Sequence, residues 1–315
     1  MTNQQPSEPH VNRRQLLQGS LGAAALAGLL STDSNAADGP LKNGRIKQSV
    51  VFWCFNVAGD KWSIDKTCQI AKKLGCGSVE IVEPADWGAL KKHGLVCAIA
   101  PNGMPGAPFI KGLNNVKYHE EVISRTSKMI DDCSDAKFPN VIAFNGYKWR
   151  DAEDPKSGEI SLEEGAKNCV TALKKLASHA EKKGVTVCLE HLNTRDDTHP
   201  MKGHPGYQGD DLDYVANIIR KVDSPHVKLL FDIYHVQVMN GDVIRRIEQN
   251  KDIIGHVHTA GCPGRGELND SQEVYYPAVM KKLLDIKYDG FVGQEFIPTG
   301  DALTGLTKAV QLCDV

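Results

Sequence analysis

The feature that most constrains this chain is an alternation. From Ser49 to the C-terminus, apolar runs of strand length take turns with segments of helical spacing, eight of each in about 265 residues. The strand-like runs cover 49–55, 77–83, 95–101, 140–146, 185–192, 227–235, 252–261 and 290–297. They are apolar runs rather than polar–apolar alternations, as expected of strands covered on both faces. Between them, 62–74, 87–93, 117–136, 161–183, 211–222, 242–250, 276–286 and 302–312 read as helices. Ser161 with Glu164 has capping-box spacing, and Gly184 supplies the stop. Count, order and length predict an α/β fold, a single (β/α)8 TIM barrel. The competitor, a doubly wound sheet holding a dinucleotide, would show GxGxxG after its first strand, where this chain has Asn56-Val57-Ala58-Gly59-Asp60.

The first 37 residues do not belong to that pattern. A twin arginine, Arg13-Arg14, precedes a mild apolar run from Leu21 to Leu30, and Ser34-Asn35-Ala36-Ala37 follows with small residues. This is the layout of a Tat-type signal peptide over 1–37, with export in the folded state to the periplasm or the exterior. The run is too short for a stable membrane anchor. A polar linker, 38–47, then leads to a barrel over 48–315. Nine cysteines follow the signal; the number is odd and no CxxC occurs, so neither a disulfide framework nor a zinc knuckle is expected. A formal net charge of -2 gives no basic excess for a nucleic-acid partner. The sequence leaves the oligomeric state open, a homo-oligomer included.

Four strand-like runs carry a metal-competent side chain near the C-terminal end: Glu190, Asp232, His258 and Glu295. A barrel gathers its strand C-termini at one mouth, and neighbouring strands lie about 4.8 Å apart, so four successive ends can converge on one ion. Three carboxylates in one small space repel unless a cation sits among them. Three oxygens and one nitrogen suit Mn²⁺ or Mg²⁺, with Zn²⁺ or Co²⁺ compatible. Around these, Asn145 ends the fourth strand where its amide could bond a substrate. Glu80 and Glu83 end the second, either in the mouth or solvated. His256 alternates with His258 and reads as a core histidine. His191, His199 and His204 fall in or near the loop after strand five, placed to act as lid residues.

The segments EHLN, KLLFDIYHVQ, IGHVHTAGCPGRGELN and YDGFVGQEFIP resemble the xylose-isomerase-like TIM barrels, most of all their hydroxypyruvate isomerase branch. The resemblance extends over nearly the whole chain after the signal, and DIYHxQ and HVHxA…PGRGE are its specific parts. It implies that Glu190 and Glu295 flank the substrate and exchange a proton with it. It implies that Glu190, Asp232, His258 and Glu295 ligate the metal, that His235 touches a substrate oxygen, and that Arg265 binds substrate. One position departs from the pattern: hydroxypyruvate isomerases often carry HVQ where this chain has HVH, as ketose 3-epimerases do. The substrate is therefore open between a small hydroxyketo acid and a sugar.

The implied chemistry is proton transfer beside a carbonyl, through an enediolate, with a divalent metal as Lewis acid. A 1,2-shift makes an isomerase; return of the proton to the opposite face makes an epimerase; a lyase through the same species also fits. A three-zinc nuclease of this barrel type would need further histidines from early strands, and strands one, three and four end in Asn56, Asn102 and Asn145. A non-catalytic sugar-binding barrel would be expected to lack one of the four ligands.

Overall fold

The computed structural model describes residues 41–315; the expected signal peptide, 1–37, lies outside the described residues. Seven parallel strands form one sheet in the order β2-β1-β9-β8-β7-β6-β3. They are β1 (Lys47–Val51), β2 (Ser78–Glu80), β3 (Asn140–Phe144), β6 (Thr186–Glu190), β7 (Val227–Asp232), β8 (Ile254–Thr259) and β9 (Phe291–Gln294). A hairpin, β4 (Trp149–Asp151) with β5 (Asp154–Glu159), stands apart from it.

The eighth stave is irregular. The run expected as strand 95–101 makes only single bridges, Val96 to Ser78 and Ala100 to Val141. At its centre side chains replace the ladder. Ser78 Oγ accepts from the Ala98 amide (2.9 Å), and Asn140 Nδ2 donates to the Ala98 carbonyl (2.8 Å). The backbone is therefore paired on both sides, and the segment closes β2 against β3 into a ring of eight. The barrel expected from the alternation is the fold observed.

The helices lie between staves as the alternation requires. After β1 come α1 (Phe52–Val57) and α2 (Ile64–Lys73), and after β2 comes α3 (Trp87–Lys92). The irregular stave leads to α4 (His119–Ala136), and β3, by way of the hairpin, to α5 (Leu162–Lys183). In the second half α6 (Leu212–Val222), α7 (Ile233–Met239), α8 (Val243–Gln249), α9 (Tyr276–Asp285) and α10 (Ala302–Leu312) follow β6, β7, β7, β8 and β9. Ser161, Asp211 and Asp301 cap α5, α6 and α10 by accepting from the amides of Glu164, Tyr214 and Thr304. Inside the ring Ile99, Ile142, Phe144, Cys188, Leu192, Tyr207 and Leu230 form their own buried cluster, so the barrel is filled rather than hollow.

Three expectations need correction. The first strand is 47–51, not 49–55, because Phe52 begins a helix; an apolar run of that length reads equally well as either. The strand expected over 227–235 ends at Asp232, whose side chain caps α7, so His235 sits on a helical turn. Part of the expected linker is held in place. The Asp314 carboxylate accepts from the amides of Lys42 (2.6 Å), Asn43 (2.9 Å) and Gly44 (2.7 Å), and Ile46 is buried.

Candidate active site

Strand register decides which side chains meet. Asp232 lies opposite His258, and His258 opposite Gly293, so Glu295 stands two residues further along the same face. Glu190 lies opposite Leu230, two residues below Asp232 on that face. With a side-chain period of two, all four point inward. One ligating atom from each of Glu190, Asp232, His258 and Glu295 falls within 4.8 Å of the others, and all four residues are buried.

The details fit a cation. Asp232 divides its oxygens: Oδ1 accepts from the amides of Tyr234 (2.8 Å) and His235 (3.3 Å), while Oδ2 has no hydrogen-bond partner. Glu190 Oε1 and His258 Nδ1 also lack hydrogen bonds although both are buried. Nδ1 lies 2.8 Å from Glu295 Oε2 and 3.8 Å from Glu190 Oε1 without hydrogen-bond geometry. Buried polar atoms left unpaired in one place are costly, and a shared divalent ion would satisfy all of them.

The charges agree. Burial, then Glu295, pushes the Asp232 carboxyl up to about 8. Burial raises Glu190 against the pull of His258. Burial would raise Glu295 as well, but His258 and Arg265 outweigh it and hold that carboxyl well below its usual range. Two of the three carboxyls are thus pushed up by burial and by Glu295, and a cation held among them would offset both effects.

Two further expected residues adjoin the cluster. His235 is fully buried, and its Nδ1 accepts from the Asn193 amide at 3.0 Å. Burial, then Arg265, pushes its pKa well below the usual value. A neutral ring with Nδ1 accepting carries its proton on Nε2, which has no partner and lies 3.6 Å from Asp232 Oδ2. His235 therefore offers one free N–H to the site.

Arg265 is buried and reaches Glu295 Oε2 (2.8 Å), the Met201 carbonyl and the neighbourhood of Asp232 Oδ2 (3.5 Å). Its guanidinium lies over the rings of Trp53 and Tyr234, at 5.3 and 5.7 Å. The loop after β8 aims it. Gly261 bridges Gly266, and a methyl on Gly261 would lie 2.4 Å from the Glu267 carbonyl oxygen. Glu267 then clamps the loop after β9, accepting from the Thr299 and Gly300 amides at 2.7 and 3.0 Å.

Asn145 is not brought to the site. Its Nδ2 points to Cys169 Sγ (3.4 Å) on α5, between barrel and helices. A residue ending a strand alternates inward or outward, and here the side chain falls on the outer face.

A cavity of about 140 Å³ opens onto Glu190, Glu295 and Arg265, and most of its remaining wall is apolar, including Trp53, Phe109 and Phe144. His204 lines it, with its ring 4.2 Å from that of Phe109. Burial pushes the His204 pKa down to about 3. His191 faces the Asp210 carbonyl instead, and His199 is exposed.

The family model described as the xylose-isomerase-like TIM barrel matches residues 68–312. The chain belongs to that family. Two curated relatives align with part of this xylose-isomerase-like barrel. The 2-oxo-tetronate isomerase of Cupriavidus necator is 35% identical over 130 residues, 41% of this chain and 47% of the relative. The hydroxypyruvate isomerase of Escherichia coli is 29% identical over 137 residues, 44% of this chain and 50% of the relative. The chain spans about half the length of these relatives. Among solved structures, a D-allulose 3-epimerase from Methylomonas sp. superposes with a TM-score of 0.61 at 18% identity, covering 85% of this chain and 96% of that one; this likeness concerns the fold.

The xylose-isomerase-like barrel also contains site residues that the strand-end pattern does not reveal. Trp53 Nε1 donates to Glu295 Oε1 at 3.0 Å. It comes from a helical turn hidden in an apolar run, so nothing in the sequence marks it. Asn193 orients His235, and its place three residues after Glu190 in EHLN was the available signal. Glu80, ambiguous in the sequence, lies under His258.

Proposed function

We propose that this protein is a metal-assisted isomerase that interconverts hydroxypyruvate and tartronate semialdehyde through an enediolate, with Glu190 and Glu295 as the proton-transfer pair. The observation that carries the reading is the convergence of three carboxylates and one imidazole, with unpaired atoms on Glu190, Asp232 and His258, beside a small cavity lined by Glu190 and Glu295. Glu190, Asp232, His258 and Glu295 would hold a divalent ion, Mn²⁺ or Mg²⁺ by donor type, with Zn²⁺ or Co²⁺ compatible. When bound, the ion supplies Lewis acidity toward the carbonyl and the adjacent hydroxyl.

The chain's own groups account for the rest. Conversion of hydroxypyruvate moves a proton from C3 to C2 and another from the C3 hydroxyl to the C2 oxygen. Glu190 borders the cavity with Oε1 unpaired, and Glu295 is held by Trp53 and Arg265. One carboxylate takes the C3 proton and one returns it to C2. His235 offers Nε2–H to a substrate oxygen, and Arg265 offers charge to oxygens that turn anionic, the carboxylate included.

The largely apolar wall favours a short keto acid over a free ketose, whose many hydroxyls would meet apolar surface without partners. A ketose 3-epimerase is the second reading, and His258 in the place often taken by Gln favours it. Turnover of hydroxypyruvate, 2-oxo-tetronate, fructose and tagatose by the metal-loaded protein separates the two. The proposal expects kcat/KM for a keto acid at least about tenfold above either ketose, a difference of about 1.4 kcal/mol in transition-state binding. The reverse order makes the protein an epimerase.

For its location we propose export of the folded protein through the twin-arginine route. The nine cysteines, all free and buried, favour passage in the folded over the unfolded state. A chain crossing unfolded into an oxidising compartment would expose every one of them to mispairing. In the folded barrel burial pushes the thiols up, as for Cys76 and Cys188 at about 12, which keeps them inert. The native protein is expected to react with less than one equivalent of a thiol reagent, and the denatured protein with about nine. Rapid reaction of the native protein would remove this support. Among the described residues no helix is long and apolar enough to cross a membrane.

A further inference from the structure

Among the described residues, Glu80 is the one buried acidic side chain to which the proposed reaction gives no role. It ends β2, on the side of the ring opposite the ligand-bearing strands, and it is fully buried. Its Oε1 lies 2.9 Å from Nε2 of His258 and 3.0 Å from Nε2 of His256, and both rings are fully buried. An ionised carboxylate only accepts, so each imidazole must donate from Nε2. For His258 this leaves Nδ1 as the ring atom that faces Glu190 and Glu295, and in the neutral ring that atom carries the lone pair.

A second observation shows the barrel shaped around this contact. Gly293 pairs with His258 in register, and a methyl there would stand 2.1 Å from Glu80 Oε1 and 2.9 Å from His258 Cδ2. Its φ is not in the left-handed range, so the glycine answers a need for space and not for backbone freedom.

We infer that Glu80 is a positioning residue: by accepting from His258 Nε2 it fixes the tautomer and ring orientation that aim His258 Nδ1 into the four-residue cluster. This rests on the reading of that cluster as a metal site. The physical basis is general, since a ligating histidine held by a carboxylate on its other nitrogen loses neither tautomer nor orientation. Without that acceptor, the ring proton is better placed on Nδ1, beside Glu295, where it blocks ligation.

The test uses the barrel labelled with ¹⁵N-histidine, free of metal and then titrated with Mn²⁺. Wild type is expected to show His258 protonated on Nε2 before metal is added. Glu80→Met, which keeps the volume and removes the acceptor, is expected to move that proton to Nδ1 and weaken Mn²⁺ binding by about 10–100-fold. Glu80→Gln keeps an acceptor oxygen and is expected to retain the Nε2 tautomer, with less than about tenfold loss. A wild-type His258 protonated on Nδ1 and not on Nε2, or a folded Glu80→Met that binds Mn²⁺ as wild type does, overturns the inference. If Glu80→Met fails to fold, the wild-type tautomer and Glu80→Gln still decide. Failure of the metal-site reading looks different: wild type then binds no Mn²⁺, while its His258 tautomer still reports on Glu80.

Discussion

Replacing Glu295 by glutamine is expected to lower turnover by about 10²–10⁴-fold, the range for loss of a positioned acid–base group, while the barrel stays folded. Size and shape are kept, so the cavity wall does not change. Charge is lost, and with it both the proton acceptor and one ligand of the proposed ion. The fold should tolerate this because Arg265, which pairs with Glu295 at 2.8 Å, keeps the Met201 carbonyl and Asp232 as partners. The change also removes the Glu295 charge that, after burial, helps push Asp232 up to about 8. Far-UV circular dichroism should match wild type, and kcat should fall in a stopped assay with hydroxypyruvate. Wild-type turnover in a folded Glu295→Gln variant would remove Glu295 from the mechanism.

Stripping the protein of divalent ions is expected to abolish turnover and lower the melting temperature together. An ion present at a hundred times its Kd stabilises the folded state by about 2.7 kcal/mol. For a domain of this size that corresponds to roughly 5–10 °C, at about 2–4 °C per kcal/mol. The stabilisation comes from a cation offsetting the burial of the carboxylates, two of which, Asp232 and Glu190, are pushed up by burial and by Glu295. Adding Mn²⁺ back should restore both properties, and the Glu295→Gln variant should show a smaller thermal shift than wild type. Full turnover after exhaustive chelation would contradict the proposed role of the cluster.

Most of the barrel could be read from the chain because its parts are locally consistent. Caps such as Ser161 and Asp301 mark helix starts, and the α10 boundaries, Ala302–Leu312, coincide with the spacing. The four cluster residues were legible for a different reason: a carboxylate or imidazole at the end of an apolar run is expensive unless it has a task. Neighbouring register then brings them together. What could not be read depends on contacts far apart in sequence. The expected strand 95–101 lacks a regular ladder because the Ser78 and Asn140 side chains take the bonds of its central residue, Ala98. Asn145 turns outward because its side chain falls on the helix-facing side of its stave, a single-residue matter that an apolar run cannot report. In the hairpin, β5 is Asp154-Pro155-Lys156-Ser157-Gly158-Glu159, which carries no strand signal. Glu80 becomes informative only when His256, His258 and Gly293, about 180–210 residues away, are placed around it.

The most direct test of the central claim is proton NMR in D₂O of the metal-loaded protein with hydroxypyruvate, run in parallel with fructose and tagatose. The account predicts deuterium entering hydroxypyruvate at C3 while tartronate semialdehyde appears, with both lost in Glu295→Gln. No exchange with hydroxypyruvate, despite one bound ion per chain, would contradict it, and exchange confined to the ketoses would move the same four residues to epimerisation.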